Sequence, residues 1–368
     1  MRDSASYRPD FVSMSSSAVG SEEHIQVAPP PPLTVPEPSR PERGGITRRP
    51  WVRALFASGF RALQRAGLNL TPNHFYWPIP DFRQLDHRNW QALSQMVGVE
   101  LKLDEQLQRL RSFMDKYRDE MHFPEGPCED PAEFHLNNGF FETVDAEVAY
   151  SIVRHYKPRR MIEVGGGNST RLSASALLHN AREGFPGKLF TIEPHPDRAL
   201  RDGIPGLTRL IERPVQQIPL EFFERLDDGD ILFLDSSHVV TVGSDVLYEY
   251  LEILPRLRPG VVVHVHDVFL PADYPRQFVM HNLCFWAEQY VLQAFLAFNP
   301  SFEVLWSSSA VNIAHRSELQ RLIPYWRDSY LRMPRELQTF TPTYDGYNVW
   351  PCSFWMRRTE APIPKVRS

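Results

Sequence analysis

Met161-Ile-Glu-Val-Gly-Gly-Gly-Asn-Ser-Thr170 is the stretch from which the rest of the chain is read. An apolar run too short for a helix stops at three glycines, and a helix-compatible run continues from Ser169 to about Arg182. The pattern spells strand, tight loop, helix. Glycines at 165 and 167 lack the Cβ atoms that would hold a ligand away from the backbone. The first turn of the helix that follows presents free N–H groups and the positive end of its dipole. A ligand seat at the carboxyl end of a strand is therefore expected here.

Outward from the loop, strand and helix alternate. Asp145 is placed to cap a helix running to His155, and Arg160–Gly165 is the first strand. Strands are also read at 188–193, 207–213, 230–235, 261–266 and 302–308. Helices are read at 219–226, 243–257, 281–298 and 315–331, and Ser353–Arg357 is read as a last strand joining the edge of the sheet. Continuously apolar strands separated by helices indicate a parallel sheet covered on both faces. The chain is therefore α/β, with a Rossmann-like, doubly wound, mostly parallel sheet.

Upstream the composition changes. Residues 1–50 are rich in Ser, Pro, Glu and Arg, with a proline run at Pro29–Pro32. Such a segment cannot bury enough apolar surface to offset its ordering entropy, so a disordered tail is expected. From Trp51, the residues Trp51, Val52, Leu55, Phe56, Phe60 and Leu63 fall on one side of a helical wheel, and Arg53, Arg61 and Arg65 on the other. This basic amphipathic helix, 51–66, suits an anionic membrane surface, the body of the protein or a second subunit; packing against protein is preferred. Residues 71–81 are stiffened by prolines, 86–119 read as one or two helices, and 123–141 as loop. The division expected is a tail at 1–50, a helical and aromatic extension at 51–140 carrying substrate or dimer elements, a core at 141–310, and a helix with an edge strand at 311–368.

The bulk numbers exclude several classes. The chain has 368 residues with a net charge of −5, which argues against a nucleic-acid partner. Cys128, Cys284 and Cys352 are far apart and form no C-x-x-C pair, so neither a disulfide framework nor a cysteine zinc site is expected. No apolar run reaches 18 residues and no signal-peptide pattern is read, so a cytoplasmic location is expected.

Carboxylates mark the seat. A dinucleotide fingerprint would need glycine at 170, where Thr170 stands. S-adenosylmethionine instead calls for an acid two residues before the first glycine, where Glu163 stands. Glu193 ends the second strand, 26 residues after Gly167, where a carboxylate accepts ribose hydroxyls. Asp235 and Asp267 end the next two apolar strands, 230–235 and 261–266, with His238 just after Asp235. Histidine titrates in the working range, so His238 is the first choice of base for an acceptor hydroxyl, with Asp267 orienting it or acting as base itself. His264 and His266 read as packed strand residues.

With these residues in view, the chain resembles the class I S-adenosylmethionine-dependent methyltransferases, and more narrowly the bacterial methyltransferase domain 24 family. The resemblance is carried by Ile162–Thr170, Ile192-Glu-Pro194, Gly229–His238, Leu257-Arg-Pro-Gly260 and His264-Val-His-Asp267. Phe285–Tyr290 and Tyr76–Asp81 are similar to such proteins as well. It implies a seven-stranded sheet with an antiparallel edge hairpin. It also implies S-adenosylmethionine as cofactor, with Glu163 and the glycines at the methionine end and Glu193 on the ribose. The full cofactor set expected is Glu163, Gly165, Gly166, Gly167, Ser169, Glu193, Asp235 and Ser236, with His238 and Asp267 catalytic. The reaction expected is O-methylation of a small-molecule or saccharide hydroxyl. Some relatives of this class hold Mg²⁺ through an Asp-Asn pair; here Val268 follows Asp267, and a divalent metal is not favoured. The alternatives are an NAD-dependent oxidoreductase and a non-catalytic S-adenosylmethionine-binding protein.

Overall fold

The computed structural model describes residues 50–71, 73, 76–325, 343–344, 347–348 and 351–361. The expected tail, residues 1–49, lies outside them, as does the end of the helix read at 315–331. The chain divides at Pro72. On the N-terminal side, α1 (Pro50–Arg65) forms as the apolar and basic periodicity requires; it has no acid in its first turn, and Arg65 stands in its last. Just beyond it, Leu68 and Leu70 are exposed. Among the described residues no helix is long and apolar enough to cross a membrane.

In the larger unit the helices α2 (Phe82–Leu85), α3 (Leu103–Tyr117) and α4 (Asp145–Tyr156) precede the sheet. Strands β1 (Arg160–Val164), β2 (Lys188–Ile192), β3 (Leu207–Ile211), β4 (Ile231–Leu234), β5 (Val262–Val265) and β6 (Phe302–Ser307) follow. They are joined through α5 (Asn168–Arg182), α6 (Arg198–Asp202), α7 (Leu220–Phe223), α8 (Asp245–Tyr248), α9 (Arg276–Met280) and α10 (Glu288–Leu296). After β6 come α11 (Ser308–Leu322), a two-residue ribbon of β7 (Thr343–Tyr344) with β8 (Tyr347–Asn348), and β9 (Phe354–Arg358).

The sheet has seven strands in the order β3-β2-β1-β4-β5-β9-β6. Strands β1 to β5 pair in parallel, and β9 runs antiparallel to both neighbours. Period-2 alternation sorts the side chains into two cores. Met161, Ile231 and Phe233 face one layer; Ile162, Val164, Leu232 and Leu234 face the other. Both faces are covered, which is why these strands read as continuously apolar. Truncating any of these side chains to alanine should cost about 2–5 kcal/mol.

Five elements depart from the sequence reading, one being the helix read at 315–331, which already begins at Ser308 directly after β6 because Ser307 caps it. Ser353–Arg357 was expected at the edge, yet β9 is inserted between β5 and β6 and is almost wholly buried, which its Phe-Trp-Met composition favours. The helix read at 243–257 breaks after α8 into a π-helical stretch, Glu249–Ile253, and a 3₁₀ turn at Leu254–Arg256. Pro255 has no N–H to continue an α-helix, and the wide turn carries Glu249 and Tyr250 inward. The helix read at 281–298 shrinks to α10, because Leu283 takes a left-handed conformation (φ 58°). Upstream, left-handed Met96, Gly98 and Lys102 confine the helix read at 86–119 to α3.

Candidate active site

The strand order reverses between β1 and β4, so a crevice opens there at the carboxyl edge. The glycine loop and the residues Glu193, Asp235, His266 and Asp267 lie at or just beyond strand ends on that edge, while Ser169 and Arg171 stand on α5, Asp197 caps α6 and Glu288 stands on α10. Gly165 follows β1, Glu193 follows β2, Asp235 follows β4, and His266 and Asp267 follow β5.

Hydroxyls fasten the glycine loop from below. Glu163 is completely buried. Its carboxylate accepts from Ser169 Oγ at 2.8 Å, Thr170 Oγ1 at 2.6 Å and Thr191 Oγ1 at 2.8 Å. Burial pushes its pKa up to about 7, against the pull of those three hydroxyls. Thr170, which replaces the glycine of a dinucleotide fingerprint, has a job of its own: its hydroxyl also accepts the Gly167 N–H at 3.0 Å. The Gly166 N–H goes to Glu193 Oε2 at 3.1 Å, and the other oxygen of Glu193 takes the His195 N–H at 2.6 Å. The two loop N–H groups that a pyrophosphate would seek are thus already taken by protein acceptors. Gly165 is left-handed (φ 81°), and a Cβ there would sit 1.8 Å from the Asp235 carbonyl oxygen. A Cβ on Gly167 would meet nothing within 4 Å and would project into open space.

Above the loop lies a cleft of about 340 Å³, lined by Phe140, Phe141, Gly165 to Ser169, Arg171, Glu193, Asp197 and Asp235. This is within the size range of small-ligand pockets. Its charge is unbalanced: three carboxylates face one guanidinium, and Arg171 is already bound to Asp197 at 2.8 Å. A cationic ligand suits such a lining and an anionic one does not.

Asp235 also belongs to a second cluster. His238 Nε2 lies 3.4 Å from Asp235 and 3.3 Å from Asp267, while its Nδ1 donates to Glu288 at 2.8 Å. The ring packs on Trp286 at 4.7 Å. Burial works against charging this imidazole, but the three carboxylates prevail and its pKa is held well above the usual histidine range. Burial likewise opposes ionisation of Asp235, yet the His266 and His238 imidazoles hold its carboxyl far below its usual range. Both His238 (φ 60°) and Asp267 (φ 54°) are left-handed. That conformation costs about 1–2 kcal/mol in a residue with a Cβ, and strain of this kind collects at functional sites. The ligand atoms of Asp235, His238 and Asp267 all lie within 4.8 Å of one another. His238 thus supplies a third donor where the Asp-Asn pattern is missing, and the set fits a divalent ion.

The structure brings together most of the residues read from sequence, though not all in one place. Gly165, Gly166, Gly167, Ser169, Glu193 and Asp235 line the cleft; His238 and Asp267 meet Asp235 at its end. Glu163 lies beneath the loop instead of facing the cleft. Ser236 points away and donates to Glu249 at 3.1 Å. Asp145 does not cap its own helix; its carboxylate reaches Ser308 Oγ and the Cys352 and Ser353 N–H groups. His264 stacks on Phe233 at 3.8 Å and bonds Ser353, as a core histidine does. His266 differs: it approaches Asp235 at 3.6 Å, Asp267 at 3.7 Å and Asp145 at 3.8 Å. Sequence reasoning, which set His266 among the packed strand residues, missed its place at the site, and the helix read at 281–298 brings Glu288 there as well.

A family model of the methyltransferase domain matches residues 162–268. An uncharacterized protein of Archaeoglobus fulgidus is 31% identical over 176 residues, which cover 46% of this chain and 78% of the relative. Among solved structures, the O-methyltransferase from Bacillus cereus in complex with S-adenosylhomocysteine is 15% identical, with 54% of this chain and 82% of that one covered at a TM-score of 0.30. MycE methyltransferase from the mycinamycin biosynthetic pathway is 17% identical, with 58% and 50% covered at a TM-score of 0.25. Structural likeness at that level carries no inference; the family-model match does, and by it the chain is a class I S-adenosylmethionine-dependent methyltransferase over residues 162–268.

Proposed function

We propose that this methyltransferase transfers the methyl group to a hydroxyl of a small molecule or saccharide, at the junction of Asp235, His238 and Asp267. One observation carries the reading: Asp235 lines the cofactor cleft and also stands 3.4 Å from His238. The methyl donor and the proton-handling groups therefore share a wall. Methyl transfer is an in-line displacement at carbon, so alignment of the hydroxyl with the sulfonium methyl supplies much of the acceleration.

The cofactor fits the residues present. Gly165, Gly166, Gly167 and Ser169 form its cradle, and Glu193 faces the ribose with its backbone-held carboxylate. Glu163 acts one layer down by tying Ser169, Thr170 and Thr191 together. S-adenosylmethionine, when bound, supplies the electrophilic methyl group. His238 is surrounded by three carboxylates and stands as a charged donor, so Asp267 is the group that accepts the hydroxyl proton. His238 holds Asp267 and Asp235 in place, and Glu288 fixes the imidazole through Nδ1. A divalent ion at Asp235, His238 and Asp267 is the alternative to a charged His238: it would take the Nε2 lone pair in place of the proton and would itself make the hydroxyl more acidic.

The protein is read as cytoplasmic. For α1, with Arg61 and Arg65 exposed, a peripheral membrane contact and a homodimer contact are both retained; sedimentation with anionic vesicles and sedimentation velocity without them separate the two. The central test is isothermal titration with S-adenosylmethionine, followed by mass spectrometry of hydroxylated acceptors for the gain of one methyl. Asp267→Asn should abolish turnover and spare cofactor binding. A flat titration of folded protein, with NAD binding instead, would reject the reading.

A further inference from the structure

We infer that Phe140 stands over the bound cofactor and presents its ring face to the sulfonium arm; the inference rests on the cofactor reading above. Phe140 belongs to a loop built to hold one shape. Glu142, itself buried, accepts the Asn137 N–H at 2.9 Å and the Gly139 N–H at 2.7 Å. Asn138 is also buried; its Oδ1 accepts from Phe140 N at 2.9 Å and Phe141 N at 2.8 Å, and its Nδ2 donates to the carbonyls of His135 and Phe141 at 2.8 Å. Two polar side chains thus satisfy the backbone of a whole turn from inside, so the loop needs no ligand to order it.

The result is a fixed presentation of two adjacent phenyl rings with opposite fates. Phe141 is 2% exposed and packs against Phe233, His264 and His266. Phe140 is 69% exposed, although it lines the same cleft as the glycine loop, Glu193 and Asp235. A rigid loop that keeps a phenyl ring in water leaves apolar area uncovered that a ligand in the cleft can cover. The rest of that lining is glycine backbone and polar or charged side chains, apart from Phe141, whose ring is engaged below. The three carboxylates select for positive charge, and the negative face of an aromatic ring adds attraction of the same sign. The cofactor carries its sulfonium charge before transfer and loses it afterwards. A ring that senses that charge favours substrate over product at this position, and so helps the spent cofactor leave.

The test uses the full chain, Phe140→Ala and Phe140→Leu, titrated calorimetrically with S-adenosylmethionine and with S-adenosylhomocysteine. Phe140→Ala should bind S-adenosylmethionine roughly 3- to 30-fold more weakly, the span of a cation–aromatic contact at 1.4 kcal/mol per tenfold. Its loss for S-adenosylhomocysteine should be smaller. Phe140→Leu should restore S-adenosylhomocysteine affinity more fully than S-adenosylmethionine affinity. Because the side chain is mostly exposed, both variants should keep the wild-type circular dichroism and melting curve. Unchanged affinity of Phe140→Ala for S-adenosylmethionine would overturn the inference while leaving the cofactor reading intact. So would an unchanged cofactor affinity with a raised KM for the acceptor, which would give Phe140 to the other substrate. Failure of the wild-type chain to bind S-adenosylmethionine would bring down both.

Discussion

Changing Glu163 to glutamine should alter how stability depends on pH, in a way that can be worked out beforehand. The folded carboxyl titrates near 7 instead of 4.5, because burial outweighs the hydroxyls of Thr170, Ser169 and Thr191. At 1.36 kcal/mol per pH unit, the interval from 4.5 to about 7 is worth about 3 kcal/mol. The sign follows from proton counting. Between those two values the folded chain keeps a proton that the unfolded chain has lost, so raising the pH favours unfolding. Below pH 4.5 the residue is neutral in both states and carries no penalty. The penalty grows as pH rises and levels off above about 7. Glutamine keeps a carbonyl acceptor for the hydroxyls and never ionises. Urea unfolding of both proteins at intervals from about pH 4.5 to 8 should show wild-type minus variant stability falling by about 3 kcal/mol. Glu142 and Glu147 are also pushed up, to about 6 and about 7, mainly by burial, but they are common to both proteins and drop out of the difference. A flat difference across that range would refute the argument that a buried carboxyl holds the loop.

Other outcomes follow from the same geometry. Gly165→Ala combines a left-handed backbone with a Cβ 1.8 Å from the Asp235 carbonyl, and should destabilise the fold by about 3 kcal/mol or more in the same urea assay. Gly167→Ala meets no protein atom; it should melt like wild type yet bind S-adenosylmethionine more weakly by calorimetry. Glu288→Ala strips a buried imidazole of a partner and should lower kcat at least about tenfold with cofactor Kd unchanged, while Glu288→Gln, which still accepts from Nδ1, should recover much of the rate. Dialysis against EDTA should lower turnover and Mg²⁺ or Mn²⁺ should restore it; full activity in EDTA would leave Asp235, His238 and Asp267 to proton handling alone.

How much of this could be read beforehand depends on the range of the interactions. The sheet was legible because its central strands, β1, β4 and β5, carry their own signal: apolar residues on both faces, closed off by a glycine or an acid within two residues. The carboxyl-edge positions of Glu193, Asp235 and Asp267 followed from that, since they end strands. Glu163 shows the limit. Its place before the glycines is visible in the text, but the three hydroxyls that claim it come from two other elements, α5 and β2. His266 read as core because strand alternation pairs it with His264; the approach of Asp235, Asp267 and Asp145, and of Cys352 Sγ at 3.8 Å, sets the two histidines apart, and most of these partners come from distant parts of the chain. The π-helical stretch was invisible because residues 249–253 suit an α-helix, and Pro255 gives no hint that the turn widens before it.

The position of β9 has a consequence for how the molecule is made. Ser353, which hydrogen-bonds His264, lies 89 residues after it, and the backbone of Cys352 and Ser353 is what Asp145 holds. Before β9 is placed, the facing edges of β5 and β6 therefore lack the partner they share in the folded sheet. Neither edge is sealed until β9 is placed, and until then Asp145 has Ser308 but lacks the Cys352 and Ser353 N–H groups.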